Sequence, residues 1–158
     1  MSPAAPPVRV HATLVALPRE DGGEAGVLLL GEPGAGKSDV ALQLIDNDGM
    51  LVADDQVELA FTGGALWGSA PPRIAGLIEA RGIGLIRLPY LERVRITMAV
   101  RLIAGGAVER MPPRMWYKPP DAFRAQGAAL RIPAYTLDPR EAGTPSKIAA
   151  AAFGKIEG

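Results

Sequence analysis

The order of apolar and polar residues in the first third of the chain predicts alternating strands and one helix. Residues 8–17 are rich in β-branched and aliphatic side chains, which favours a strand, and the continuous apolar run 25–30 predicts a strand buried on both faces. Residues 38–45 carry apolar side chains at helical spacing, and residues 50–53 are typical of another strand. This strand, loop, helix and strand indicate the α/β class.

The remaining residues predict shorter elements and one long irregular segment. In chain order these are a hairpin over 56–68 with its turn at 62–64, two short strands at 77–81 and 84–88, a half-exposed strand at 94–103, an irregular segment at 105–126, a strand at 130–137 interrupted by Pro133, and a helix at 144–153. We find no internal repeat and no sign of a second domain. The expectation is one domain over residues 1–158, with residues 1–7 disordered.

Composition and charge narrow the classes of partner. The 158 residues are 48% apolar, which suffices for a buried core, and 17 acidic residues balance 17 lysines and arginines. This balance argues against attraction to nucleic acid or a membrane surface through bulk charge. The chain has no cysteine and a single histidine, so we expect neither disulfides nor a structural zinc site. No signal peptide or membrane-spanning run is visible, so we expect a cytoplasmic protein with no membrane or nucleic-acid partner.

The segment between the second predicted strand and the helix matches the pattern G-x-x-x-x-G-K-[ST]. It consists of Gly31, Glu32, Pro33, Gly34, Ala35, Gly36, Lys37 and Ser38. Glycines let successive backbone N–H groups turn towards phosphate oxygens, and the helix N-terminus adds its partial positive charge. The lysine is expected on the β- and γ-phosphates, and the serine hydroxyl is expected to ligate Mg²⁺. The segment therefore predicts an ATP-binding P-loop.

Acidic residues beyond the loop point to phosphoryl transfer. Asp54 and Asp55 follow the strand at 50–53, and the strand ends of α/β sheets border the ligand crevice. Two successive carboxylates can divide the work, because one can support Mg²⁺ while the other accepts a proton from an attacking hydroxyl. Glu79, close to Arg81, is a third acid, although an exposed ion pair explains it equally well.

Two further residues are ambiguous on spacing alone. His11 lies in a predicted strand, where a lone histidine is more often packed or hydrogen-bonded in the core than part of a site. Arg110 and the other basic residues of the irregular segment could approach a γ-phosphate or an acidic partner, or could simply be exposed on a loop.

Taken in order, these blocks resemble HPr kinase/phosphorylase, a family that phosphorylates a serine on a small phosphocarrier protein. The likeness rests on the His11 strand and on residues 26–38, 51–58 and 77–84, the last being similar to the family's Leu-x-Glu-Ile-Arg-Gly-Leu-Gly signature. It implies a P-loop domain of the HPr kinase/phosphoenolpyruvate carboxykinase-like fold with a central mixed sheet. It also implies ATP and Mg²⁺ as cofactors, an HPr-type phosphocarrier as protein partner, and a homo-oligomer, which is a hexamer in the family.

The resemblance implies a role for each candidate residue. Asp55 would be the general base for the serine proton, with His11 beside it and Lys37 on the phosphates. The Mg²⁺ ligands would be Ser38 and Glu79, with Asp54 supporting the metal or the loop. Arg110 is the closest match to an arginine that the family places in a mobile loop.

Three features depart from the family pattern. The chain begins close to the His11 strand, as in a short form with the catalytic domain alone. Residues 89–93 replace an expected Gly-Ala-Gly segment, and residues 137–143 replace an arginine-rich stretch before the last helix. The last two bear on carrier contact and on the reverse, phosphorylase reaction more than on the kinase reaction. A P-loop kinase for a small metabolite and a non-catalytic ATP-sensing regulator are the alternative functions.

Overall fold

The computed structural model describes residues 6–106, 108–124 and 130–157. Its strands, in chain order, are β1 (Val8–His11), β2 (Thr13–Pro18), β3 (Glu24–Leu30), β4 (Met50–Ala53), β5 (Gln56–Thr62), β6 (Ala65–Ser69), β7 (Leu77–Ala80), β8 (Gly84–Arg87), β9 (Val94–Leu102) and β10 (Ala134–Leu137). The two α-helices are α1 (Lys37–Asp46) and α2 (Thr144–Phe153), and 3₁₀ turns lie at Pro72–Ile74 and Asp121–Phe123. Neither α-helix approaches the length and apolar character needed to span a bilayer, and no other helix in the described ranges does.

Eight of the strands form one curled, mixed sheet, and β7 and β8 form a separate two-stranded sheet. The order in the large sheet is β1-β5-β6-β9-β3-β2-β4, with β10 also paired to β9. β9 runs parallel to both β3 and β10, whereas β2 is antiparallel to both β3 and β4. As a result, the end of β3, the start of β2 and the end of β4 lie at the same edge of the sheet, which is where a ligand crevice is expected.

Both faces of the central strands are buried, which confirms the expectation for residues 25–30. Leu28 belongs to an apolar cluster inside the curl of the sheet, and its neighbours Val27 and Leu29 belong to a second cluster with α1 and α2. This alternation follows from the two-residue period of a strand. Phe123 and Ile132, on either side of residues 125–129, complete the first cluster.

Several predicted elements occur as expected. The β5–β6 hairpin turns at Gly63 and Gly64, β4 has the predicted bounds, and so has α2. The helix after the P-loop ends at Asp46, just before the predicted stop signal. In the described part of 105–126 the only regular element is the short 3₁₀ turn, while residues 107, 125 and 126 lie outside the described residues. Residues 1–5 of the expected disordered segment also lie outside them.

Three strand predictions need correction. Residues 8–17 form two strands, because their pairing partner changes at Ala12. The residues before Ala12 pair with β5, and those after it pair with β3 and β4. The N–H of Ala12 itself donates to the Asp55 carbonyl. β9 is not half-exposed, since only Arg95 and Arg101 of its nine residues are exposed. The strand is buried because β3 pairs with one of its edges, β6 and β10 pair with the other, and a core cluster covers each face. The last strand begins after Pro133, since proline has no N–H to donate to a sheet.

Candidate active site

The predicted phosphate loop lies between β3 and α1, as its sequence setting requires. Gly34 and Gly36 have φ angles of 80° and 105°, a left-handed region that side chains with a Cβ disfavour. A Cβ on Gly36 would also lie 3.1 Å from Cβ of Pro139, so the turn before α2 packs directly against the loop. The loop conformation therefore depends on its glycines and on the C-terminal part of the fold.

Lys37 is folded back over the loop. Its Nζ donates to the carbonyl oxygens of Gly31, at 2.8 Å, and Glu32, at 3.0 Å. Burial lowers the pKa of Lys37 below its ordinary value, and the carboxylates of Asp55, Asp54 and Glu32 partly oppose this shift. The ammonium group is therefore held in a partly desolvated position, where an incoming phosphate would be a strong counter-charge.

Asp54 is the buried centre of a hydrogen-bond network. Its Oδ1 accepts bonds from the Ser38 hydroxyl, at 2.7 Å, and the Thr13 hydroxyl, at 2.8 Å. Its Oδ2 accepts the backbone N–H of Glu79 at 3.1 Å, which ties the β7–β8 hairpin to the loop. Three donors fix both carboxylate oxygens, so the carboxylate points at the P-loop serine in a defined orientation.

Thr13 is a site residue that sequence reasoning did not single out. It is fully buried at the start of β2 and donates to the same oxygen as the P-loop serine. The available signal was a hydroxyl within an otherwise apolar strand, two residues after His11. Without the pairing of β2 with β4, that hydroxyl could not be assigned to Asp54.

Asp55 has the opposite environment from its neighbour. Its φ is 70°, and the Gln56 N–H donates to the Asp54 carbonyl at 2.8 Å, which closes a three-residue turn around it. Such turns are rare and strained for residues other than glycine, and strain of this kind concentrates at functional sites. The turn leaves the Asp55 side chain 69% exposed, with Oδ1 3.3 Å from Nδ1 of His11. One of the two successive carboxylates is thus buried and the other is accessible from the cleft, while the predicted division of their chemical roles stays a prediction.

A cleft of about 300 Å³ runs between the loop and these carboxylates. Its lining consists of His11, Thr13, Pro33, Gly34, Gly36, Lys37, Ser38, Asp39, Asp55, Glu79 and Arg81. It therefore brings together candidates that are far apart in the chain, among them His11, which is partly exposed beside Asp55 rather than packed in the core.

Arg110 lies elsewhere, in a groove of about 1070 Å³ formed by residues 108–118, β9, β10 and α2. That groove also contains Tyr117 and Tyr135, whose pKa values are raised by burial and lowered to a smaller extent by nearby arginines. In this arrangement Arg110 does not contact the cleft, so its predicted role stays a prediction.

The oxygen donors that line the cleft, together with the buried carboxylate of Asp54 behind it, suit Mg²⁺. The Ser38 hydroxyl, the Asp54 carboxylate and the Glu79 carboxylate are all hard ligands, and the first two already touch. The described residues contain no group of three or more His, Cys, Asp or Glu side chains that could cage a metal. Mg²⁺ is usually held by one or two carboxylates together with substrate phosphates, so this donor set fits a nucleotide-bound ion better than an all-protein site.

Comparison with known proteins assigns the family. The family model for the HPr Serine kinase C-terminal domain matches residues 3–104, which is nearly two thirds of the chain. The chain belongs to this family. Related proteins include the HPr kinase/phosphorylases of Clostridium tetani, 39% identical over 99 residues, and of Caldanaerobacter subterraneus subsp. tengcongensis, 44% identical over 103 residues. Each of these matches covers 63% of this chain but only 31% or 32% of the relative, so the chain spans about a third of their length.

The likeness in fold extends over more of the chain than the family model. The solved structure of the HPr(Ser) kinase/phosphatase from Coxiella burnetii superposes with a TM-score of 0.69 at 24% sequence identity. The superposition covers 90% of this chain and 91% of that one. The HPr kinase fold, including its mixed central sheet, is therefore confirmed, and it reaches beyond residue 104.

Proposed function

We propose that this protein is an ATP- and Mg²⁺-dependent kinase that phosphorylates a serine of an HPr-type phosphocarrier protein. The observation that carries the proposal is the contrast between the two aspartates. Asp54 is buried and bonded to the P-loop serine, whereas Asp55 is exposed beside His11 at the mouth of the same cleft. A protein that only bound ATP would have no need of the second, strained carboxylate.

The proposed mechanism assigns a distinct step to each group. Backbone N–H groups of the P-loop and the Lys37 ammonium bind the ATP phosphates and compensate their charge. Ser38 and Glu79 would hold Mg²⁺, with support from Asp54, and the ion would supply positive charge to the phosphates when bound. Asp55 accepts the proton of the substrate serine as its oxygen attacks the γ-phosphorus, and the bond to the ADP oxygen breaks. His11, whose Nδ1 lies 3.3 Å from Oδ1 of Asp55, would orient that carboxylate.

The reverse reaction would use the same groups with the proton moving in the opposite direction. An oxygen of inorganic phosphate would attack the phosphorus of the phosphoserine, and the bond from phosphorus to the serine oxygen would break. The products would be pyrophosphate and serine, with protonated Asp55 giving its proton to the serine oxygen. The departures at residues 89–93 and 137–143 make this half of the proposal secondary to the kinase half. We further propose that the active form is a cytoplasmic homo-oligomer, a hexamer by resemblance, and that residues 1–158 act as one domain.

The test uses purified protein, radiolabelled ATP, Mg²⁺ and an HPr-type phosphocarrier in two forms, wild type and with its target serine replaced by alanine. We expect label on the wild-type carrier alone. Label on a small metabolite instead would support the metabolite kinase, and tight ATP binding with no transfer to any acceptor would support the regulator.

The variant Asp55→Asn separates base catalysis from nucleotide binding. We expect transfer to fall by about 10²-fold or more while the dissociation constant of ATP stays near the wild-type value, because the amide cannot accept the serine proton. Lys37→Met is the matched comparison, since it should weaken ATP binding itself. Transfer by Asp55→Asn at the wild-type rate would refute the base assignment.

A further inference from the structure

The β7–β8 hairpin exposes two large apolar side chains at the rim of the cleft. Ile83 is 80% exposed in its turn and Leu85 is 73% exposed in β8. The opposite face of the hairpin is well covered, with Ile78 fully buried and Ala80 nearly so. The exposed pair therefore belongs to an anchored hairpin, with Leu85 on its open face and Ile83 in its turn.

The strand register shows that this face is on the cleft side. Leu85 lies directly opposite Glu79 in the antiparallel pair, and residues opposite each other have their side chains on the same face. Glu79 lines the cleft, and its N–H is bonded to Asp54. Ile83 follows the cleft residue Arg81 by two positions, in a turn closed by its N–H on the Ala80 carbonyl at 2.9 Å.

We propose that Ile83 and Leu85 form a docking strip for apolar side chains next to the target serine of the protein substrate. The inference rests on the proposed function and extends it by naming a surface that selects the acceptor. A serine that reaches Asp55 would bring its neighbouring residues close to the hairpin, because Asp55 and the hairpin residues Glu79 and Arg81 line the same open cleft. Apolar side chains of the substrate would cover the strip and gain from leaving water.

The size of the strip favours a transient substrate over a second copy of this chain. Stable interfaces bury about 1,200 Å² or more, whereas two side chains provide only a small part of that area. A substrate that must leave after each turnover needs a weak contact. The strip would then contribute to substrate affinity with little effect on the chemical step.

The test is the double variant Ile83→Ser/Leu85→Ser, assayed with Mg·ATP and the HPr-type phosphocarrier. We expect KM for the carrier to rise about tenfold, equivalent to about 1.4 kcal/mol of lost contact. The value of kcat and the dissociation constant of ATP should stay within about twofold of wild type, since neither side chain touches the P-loop. The conservative double variant Ile83→Leu/Leu85→Met should keep the wild-type KM, because it retains apolar surface.

The matched control is Phe153→Ser at the end of α2. Phe153 is 51% exposed, and its carbonyl accepts the N–H of Glu20, at the opposite end of β2 from the cleft residue Thr13. An unchanged KM in the hairpin variant, or an equal rise in the control, would overturn the docking strip. So would a change in sedimentation coefficient for the hairpin variant alone, which would identify a contact between copies. No transfer by the wild-type protein would instead refute the proposed function.

Discussion

The neighbouring aspartates Asp54 and Asp55 have different environments because of the backbone conformation at Asp55. A positive φ at this residue turns its side chain away from that of Asp54, which stays buried under three hydrogen-bond donors. One carboxylate is thereby fixed for the P-loop serine, and the other remains accessible to a substrate. At the residue scale, the site thus depends on hydrogen bonds that orient Asp54 as much as on the groups that would touch ATP.

The variant Thr13→Val tests the orientation of Asp54. Valine has nearly the same shape but cannot donate to Oδ1, so the carboxylate would lose one of its three donors. We expect a loss of about 1 kcal/mol in the free energy of unfolding and a higher Mg²⁺ concentration for half-maximal ATP binding. Both can be measured, by urea denaturation and by fluorescence titration with a labelled nucleotide. Thr13→Ser, which keeps the hydroxyl, should need the same Mg²⁺ concentration for half-maximal ATP binding as wild type. If Thr13→Val also needed only the wild-type concentration, the role of Thr13 in orienting Asp54 would be contradicted.

The lowered pKa of Lys37 predicts how ATP binding depends on pH. In the free folded protein, Lys37 is fully protonated at a pH well below its own pKa. It loses its proton as the pH rises through that pKa, which is lower than the 10.5 of an ordinary lysine. ATP affinity should therefore fall in the alkaline range at a pH below 10.5, with a proton taken up on binding. Calorimetry in buffers of different ionisation enthalpy measures that uptake. Lys37→Met should bind weakly and show no such uptake in the same range.

At the scale of elements, the central contact is the parallel pairing of β3 with β9. The register shifts at Gly26, where an added Cβ would clash with the Arg95 carbonyl oxygen and lie 2.8 Å from Cγ1 of Val94. The two backbones can approach this closely because the residue has no side chain. The glycine within β3 thus allows this strand, which leads into the P-loop, to pair closely with β9, the longest strand of the sheet.

Gly26→Ala should therefore destabilise the protein strongly. The clash is with backbone, which cannot move without separating β3 from β9, so we expect a loss of about 3 kcal/mol in the free energy of unfolding. Denaturation in urea gives the value. Gly143→Ala is the matched control, because its φ is −80° and the nearest atom to an added Cβ is 3.8 Å away. If both variants lowered the free energy of unfolding by a similarly small amount, the β3 and β9 backbones would not be in such close contact at Gly26.

At the scale of the whole molecule, an irregular segment completes the core. Phe123 and Ile132 are almost fully buried in the cluster inside the curled sheet, together with residues of β2, β3, β5 and β9. The N–H of Tyr117 donates to the Ile132 carbonyl and the N–H of Ala134 donates to the Met115 carbonyl, which joins the irregular segment to the start of β10 and the residues before it. The region that lacks strands is therefore part of the fold and not an appendage.

Removal of one aromatic ring measures that contribution. Phe123→Ala should lower the free energy of unfolding by about 3 kcal/mol or more, because the cavity left in the core cannot fully close. Phe153→Ala makes the same chemical change at a half-exposed position and should cost about 1 kcal/mol or less. The two values come from parallel denaturation curves. Equal losses would mean that the segment does not pack as a core element.

Much of the candidate site could be inferred from local sequence because its parts are contiguous. The P-loop, the Asp54-Asp55 pair and the signature around Glu79 each lie at the end or start of a predicted strand. Thr13 was missed because a lone hydroxyl in an apolar strand has no local signal. Arg110 could be selected only by resemblance, and the structure places it in a different groove from the one that the P-loop borders.

Local sequence sufficed to predict the strand–loop–helix core, the glycine-rich loop motif, the paired carboxylates and most element bounds, because each depends on the period and chemistry of neighbouring residues. Tertiary structure alone decided that residues 8–17 split between two strand partners, and that β9 is buried on both faces. It also decided that Asp54 turns inward while Asp55 turns outward. These features depend on which distant strands pair and how the sheet curls, and no local pattern records that information.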